Sequence, residues 1–379
     1  MNFNLKIYIG LLIIFACDQN NSNEIVIEKA KPVEIFTFQL DSVSSYNPRY
    51  IDFITWENEP SLATINQPDN SIRIYNLSTG LEVHKIGLVN ANTPKGIYQI
   101  RGFDILNSDS IFVAGLHGNS LKLIDNNGNI IQDYSISSQE GERLEARGRR
   151  VISTLSKIYY LGNSQLFMNG HPDYNIRNPE EYFKNNVGII IDLTSESFKY
   201  LPLTWPKSFG GLLWNFNYTF DLDSESKKLY FNFGSSDSVF VYHLNESDKN
   251  TTQFLAKSKL KNSPQPLSKG MNMQEYNMKN PFYSGVLYNQ STDHIYRFLY
   301  HGHEDEEMLD GLDYYNAPFS ILVFNENKEL IKEVVLPAKN YNPQVVIPFR
   351  TGVLISIHNK YNKSFSEDEL ILHYLDLEN

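Results

Sequence analysis

One strand-like hexad recurs six times along this chain and limits what it can fold into. It reads IRIYNL at Ile72–Leu77, LKLIDN at Leu121–Asn126 and GIIIDL at Gly188–Leu193. It returns as VFVYHL at Val239–Leu244, ILVFNE at Ile321–Glu326 and LHYLDL at Leu372–Leu377. The fifth residues of successive copies are 49, 67, 51, 82 and 51 positions apart. Around each copy, short runs rich in Val, Ile, Tyr, Phe and Thr alternate with clusters of Asn, Asp, Gly and Ser, the pattern of strands and turns. No stretch carries the period of a long amphipathic helix. A period near 50 residues with four short strands per unit predicts a β-propeller.

The first unit shows all four expected strands, at Tyr50–Trp56, Ser61–Ile65, Ser71–Leu77 and Leu81–Leu88. The second repeats them at Ile100–Leu106, Ser110–Gly115, Ser120–Asp125 and Ile130–Ile136. The sixth unit starts near Gln344 and ends on its third strand, Leu370–Leu377, so it lacks a fourth. Val33–Leu40, alternating apolar and polar near the other end of the chain, is the spare strand. The expected fold is therefore all-β: a six-bladed β-propeller closed by an N-terminal strand that completes the last blade. Such closure removes a free sheet edge. A pair of β-sandwiches would need no six-fold period.

Ile7–Ala16 is an unbroken apolar run of ten residues, too short to span a bilayer and of the right length for the core of a signal peptide. It ends at Ile14-Phe15-Ala16-Cys17, and Cys17 is the single cysteine of the chain. This resembles the lipobox of bacterial lipoproteins, which implies acylation at Cys17 and a membrane as partner. The expected layout is residues 1–16 as signal peptide, 17–31 as a flexible tether and 32–379 as one propeller domain. With the repeat, the chain resembles the uncharacterised six-bladed propeller lipoproteins of the Bacteroidota, a domain-of-unknown-function family. The resemblance implies a lipid-anchored place in the bacterial cell envelope, at the outer membrane or cell surface rather than the inner membrane. It transfers no catalytic residue.

Composition excludes further classes. One cysteine permits neither an internal disulfide nor a cysteine-based zinc site. A formal net charge of −11 argues against nucleic acid as a partner. Hydrophobic residues at 41% suffice for a large core, so the chain is not disordered. The sequence contains no G-x-S-x-G elbow, no Walker loop and no G-x-G-x-x-G after a strand, and nothing in it names a cofactor.

In a propeller, the loops joining strand four to the next strand one share a face with those joining strands two and three. The long spacings place insertions on that face, at about Pro172–Asn186 in unit three and at Lys261–Pro281 and Gly302–Ala317 in unit five. His117, His171, His301 and His358 fall at the ends of expected second strands, and His303 follows His301 closely. Arg49 and Arg101 begin first strands, and Arg149 and Arg150 precede unit three. Trp205, Trp214 and Tyr341 belong to the same loops. Together these predict a site for an anionic or hydroxyl-rich ligand, with Arg49, Arg101, His117, His171, Trp214, His301, His303 and His358 as candidate contacts.

The run His301-Gly-His303-Glu-Asp305-Glu-Glu307 holds the densest set of potential metal ligands, with His301 and His303 as the imidazoles. It resembles in part the HxHxDH of metallo-β-lactamase-like hydrolases, but Glu306 stands where the last histidine belongs. Asp221, Asp223 and Glu225 are assigned to a turn on the opposite face. The expected function is a non-catalytic binding module for a glycan, peptide or envelope protein. The alternative is a metal-assisted hydrolase or lyase using the histidine-rich face.

Overall fold

The computed structural model describes residues 25–88, 96–97, 99–115, 121–138, 152–170, 178–245, 251–268, 272–303, 316–364 and 366–378. The expectations for Cys17, His117, His171, Arg149 and Arg150 lie outside these residues. Six small sheets form the six blades of a β-propeller, each an antiparallel meander in chain order.

Blade 1 is β3 (Ile51–Trp56), β4 (Glu59–Asn66), β5 (Ser71–Asn76) and β6 (Glu82–Gly87). Blade 2 is β7 (Ile100–Asn107), β8 (Ser110–Gly115), β9 (Leu121–Ile124) and β10 (Ile130–Tyr134). Blade 3 is β12 (Tyr159–Gly162), β13 (Gln165–Met168), β14 (Ile189–Asp192) and β15 (Ser197–Tyr200). Blade 4 is β16 (Tyr218–Asp223), β17 (Lys228–Phe233), β18 (Ser238–His243) and β19 (Thr251–Leu255). Blade 5 is β20 (Phe282–Asn289), β21 (His294–Tyr300), β22 (Phe319–Phe324) and β23 (Leu330–Leu336). Blade 6 contributes β24 (Asn342–Phe349), β25 (Gly352–Ser356) and β26 (Glu369–Asp376).

The recurring hexad is the third strand of each blade. Neighbouring blades cover that strand on both faces, so five of the six residues of β5 are buried and β22 is buried throughout. This explains why the hexads read as apolar runs rather than as alternating strands. Outer strands such as β6 and β10 are largely exposed.

The ring closes as the sequence predicts. Strand β2 (Glu34–Gln39) pairs antiparallel with β26, from Glu34 opposite Tyr374 to Gln39 opposite Glu369. Its Phe36 and Phe38 enter one core with Ile51, Leu62 and Tyr75 of blade 1. The free edge of β2 is covered in turn by blade 1. Gly80 has φ +69°, its carbonyl accepts the Gln39 amide at 2.9 Å, and a Cβ there would lie 2.0 Å from the Thr37 oxygen. Only glycine fits such an approach.

The stretch expected as a tether is not wholly a tether. Val26–Lys29 forms strand β1, which lies parallel on β23 and gives blade 5 a fifth strand. Its β-branched residues and open backbone cover an edge that would otherwise be bare. Strand β11 (Ser137–Ser138) does the same for blade 3, parallel to β15.

Blades 4 and 5 are clamped by a buried guanidinium. Arg297 on β21 donates to Asn232 Oδ1 at 2.9 Å, Ala256 O at 2.7 Å and Ser236 O at 2.6 Å, and lies 3.4 Å from the centre of the Tyr283 ring. Burial lowers its pKa to about 10, so it stays charged at neutral pH.

The two sides of β2 should respond differently to truncation. Phe38 is fully buried and Ile35 is 60% exposed. Phe38→Ala should cost about 3–5 kcal/mol, while Ile35→Ala should stay within about 0.5 kcal/mol, both read from urea unfolding midpoints.

Candidate functional site

The connection from blade 2 to blade 3 turns into the centre of the ring. Residues 152–158 are all buried or nearly so. A Cβ built on Gly102 of blade 2 would lie 2.3 Å from Ile152, and one on Gly285 of blade 5 would lie 2.7 Å from Leu155. Blades 2 and 5 face each other across a six-fold ring, so this segment occupies the axis. Ile152 and Ile158 join the core of blades 1–3, and Leu155 joins that of blades 5 and 6. The segment is a plug.

The plug covers inner strand edges that have no partner strand. Thr154 Oγ1 accepts the Ile51 amide at 3.2 Å and donates to the Arg49 carbonyl at 3.4 Å. The Leu155 carbonyl accepts the Phe220 amide at 3.3 Å. Lys157 forms an ion pair with Asp52 of β3. Below it, inner-strand side chains reach from blade to blade. Asp104 accepts the Tyr160 amide, and Asp221 accepts the Tyr159 hydroxyl and, at 2.8 Å, the Tyr288 amide.

Two of these carboxyl groups are held well above the usual carboxylate range. Asp104 is half-buried on the inner strand β7. Burial, reinforced by the charge of Asp52, raises its pKa to about 7. Burial also raises that of Asp221. Asp221 thus departs from the sequence expectation. It lies in β16 and faces the interior, because its side chain serves the backbone of the next blade. Asp223 does act in the turn, accepting the amides of Glu225 at 3.1 Å and Ser226 at 3.0 Å.

Above the plug the charge is positive. Arg49 is exposed, and Arg101 at the start of β7 is half-buried. Burial and the neighbouring Arg49 charge both lower the pKa of Arg101. Its Nε is buried without a hydrogen-bond partner, and its one hydrogen bond goes to Gln99 Oε1 at 3.3 Å. Among the described residues, neither arginine pairs with a carboxylate. Two like charges held together without a counter-ion are costly, and an anion would relieve that cost.

The other sequence candidates occupy separate sectors of the same face. His358 is buried against Tyr46, with ring centres 5.7 Å apart, and its Nε2 accepts the Ile371 amide at 2.9 Å. Burial lowers its pKa to about 4, so the ring is neutral. His301 is buried and its Nε2 lies 2.6 Å from Ser320 Oγ. Both histidines therefore hold the fold together, a correction to their reading as open ligand contacts. His303 is half-buried near Tyr300, and its amide donates to Met278 O at 2.9 Å.

Among the described residues no three His, Cys, Asp or Glu side chains gather around one point as metal ligands would. Residues 304–307, the acids of the expected metal run, lie outside the described residues. Trp214 stacks on Phe209 at 5.2 Å and donates its indole N–H to the Phe209 carbonyl at 3.0 Å. It adjoins a cleft of about 660 Å³ between α1 (Pro179–Tyr182) and residues 204–211, lined by Glu180, Lys184, Lys207, Trp205 and Pro206.

Fold and site together define a six-bladed β-propeller with a plugged axis and two neighbouring arginines beside the plug. The chain belongs to the family described as Domain of unknown function (DUF4221), whose profile matches residues 26–334. A family member from Bacteroides vulgatus superposes with a TM-score of 0.78 at 20% identity, over 92% of this chain and 97% of that one. A Bacteroides fragilis protein provisionally named as exported is similar with a TM-score of 0.51 at 11% identity, over 92% and 98% of the two chains. No curated protein matches the chain significantly. No helix among the described residues is long and apolar enough to cross a membrane.

The raised Asp104 pKa fixes a sign. The folded state holds this proton more tightly than the unfolded chain, whose carboxyl titrates near 4. Asp104 therefore adds to stability as pH falls from about 7 toward 4, and opposes folding above that window. Asp104→Asn should raise the unfolding midpoint at pH 8 and flatten its pH dependence between 4 and 7, as measured by thermal denaturation in a buffer series.

Proposed function

We propose that this protein is a lipid-anchored binding module of the bacterial envelope whose ligand carries carboxylate or sulfate groups. The observation that carries this reading is the arginine pair. In a chain of net charge −11, Arg49 and Arg101 lie close together beside the plug with no carboxylate partner among the described residues. Forked guanidinium donors suit planar anions, and loops on a rigid scaffold are where recognition concentrates. An acidic glycan fits best, because the same face also carries the cleft lined by Lys184, Trp205 and Lys207. An acidic peptide or partner protein would meet the same two charges.

The apolar run Ile7–Ala16 ahead of Cys17 supports export and anchoring. The provisional name of the Bacteroides fragilis neighbour agrees with export. The catalytic alternative finds little support, since the His301 Nε2 and the His358 Nε2 are both engaged in internal hydrogen bonds.

A screen of the propeller against acidic and neutral oligosaccharides and acidic peptides tests the binding reading. The double variant Arg49→Ala, Arg101→Ala should bind the selected ligand at least tenfold more weakly, with an unchanged melting temperature. Binding of the wild-type protein should weaken steeply with salt. A mutational footprint confined to the Asp223–Lys228 turn on the other face would overturn the assignment. Separately, Cys17→Ser should move the protein from the membrane to the soluble fraction, and normal membrane retention would refute the anchor.

A further inference from the structure

The first two strands and the residues joining them expose four aliphatic side chains that no described residue covers. Val26 is 49% exposed, Ile27 50%, Val33 67% and Ile35 60%. The strands that bear them form the outer edges of blades 5 and 6 and are joined by only residues 30–33. On β2 the even-numbered Phe36 and Phe38 face the core while Ile35 faces outward, and Val33 just before the strand is exposed as well. The fold has no internal use for these four aliphatic side chains at that rim.

Charge around the strip is sorted as well. Glu28 is paired with Lys332 at 3.4 Å, and Glu34 with Arg350 at 2.6 Å. Lys29 and Lys31 are exposed and have no carboxylate partner among the described residues. On a strongly acidic protein, this rim thus offers aliphatic side chains flanked by two lysines that have no carboxylate partner among the described residues. That combination suits the boundary between acyl chains and anionic headgroups.

The chain enters the fold at this rim. Val26 lies opposite Lys332, just past the Asn325–Glu329 turn that opens β23. That turn joins a third strand to a fourth and so lies on the face opposite the insertions. Nine residue steps separate Cys17 from Val26, a reach of at most about 30 Å. We propose that the rim bearing Val26, Ile27, Val33 and Ile35 rests on the bilayer that holds Cys17, so that the face with Arg49 and Arg101 points away from the membrane. This rests on the lipid-anchor reading.

The test uses the full processed protein in vesicles of phosphatidylethanolamine and phosphatidylglycerol containing a nitroxide-labelled lipid. Acylation occupies Cys17, so an introduced cysteine is the sole thiol for a fluorescent label. Labels at the exposed Ile27→Cys and Ile35→Cys should be quenched by the lipid at least threefold more strongly than a label at Lys360→Cys on the long-loop face. Equal quenching, or stronger quenching at Lys360→Cys, overturns the orientation. So does disulfide-linked dimerisation of Ile35→Cys without lipid quenching, which would assign the strip to a second copy of the chain. Mass spectrometry of the N-terminal peptide reads the anchor separately. An unacylated Cys17 removes the anchor reading and this orientation with it, whereas an acylated protein quenched on the wrong side removes the orientation alone.

Discussion

Six sheets radiating from one axis leave six inner strand edges facing each other with nothing to pair with, and the covering of those edges governs the rest of this structure. A buried backbone donor or acceptor left unmet costs about 1–3 kcal/mol. Here the Tyr160 amide is met by Asp104, the Tyr288 amide by Asp221, and the Phe103 carbonyl by the Tyr50 hydroxyl at 2.5 Å. The Ile51 and Phe220 amides are met by the plug. Carboxylates do this well because they accept several donors at once, but enclosing them raises their pKa. The axis is therefore both the best-bonded part of the ring and the place where protonation acts on stability.

The plug also shapes the face on which Arg49 and Arg101 sit. With residues 152–158 across the axis, the ring has a floor beneath the long-loop face. Arg49 is joined to that floor through its own carbonyl, which accepts from Thr154 Oγ1. The position of the arginine pair is thus set by the same segment that completes the core. Its exposed charge is paired with no carboxylate among the described residues, whereas Arg73, buried on β5, is surrounded by Asp41, Asp69 and Glu82 at 2.7–2.8 Å. The contrast sets a fully paired structural arginine beside two that have no carboxylate partner among the described residues.

Much of the fold was legible because blade geometry imposes a pattern on residues close together in sequence. The hexads at Ile72–Leu77 and Ile321–Glu326 are apolar because neighbouring sheets cover both their faces, and Val33–Leu40 alternates because only one face meets the core. The plug was not legible in the same way. Ile152–Ile158 mixes aliphatic and hydroxyl residues like any short strand, and its partners lie in four different blades. Its one available signal was length: 24 residues lie between β10 and β12, far more than a blade connection needs. Asp221 misled for a related reason, since an Asp-x-Asp-Ser run reads as a turn unless its inward neighbour is known. Counting along the blades places Arg49 and Arg101 at strand starts, whereas the internal bonds of His301 and His358 depend on Ser320 and Ile371, which counting does not bring near.

The pairing of β2 with β26 also sets a timetable. Gln39 and Glu369, bonded side chain to side chain at 3.1 Å, are 330 positions apart. A chain emerging from a ribosome presents the first of these strands 330 positions before its partner. Through that interval the aromatic side of β2, Phe36 and Phe38, has no blade 6 to complete. Closure is a late, non-local step of the kind that slows β-rich folding.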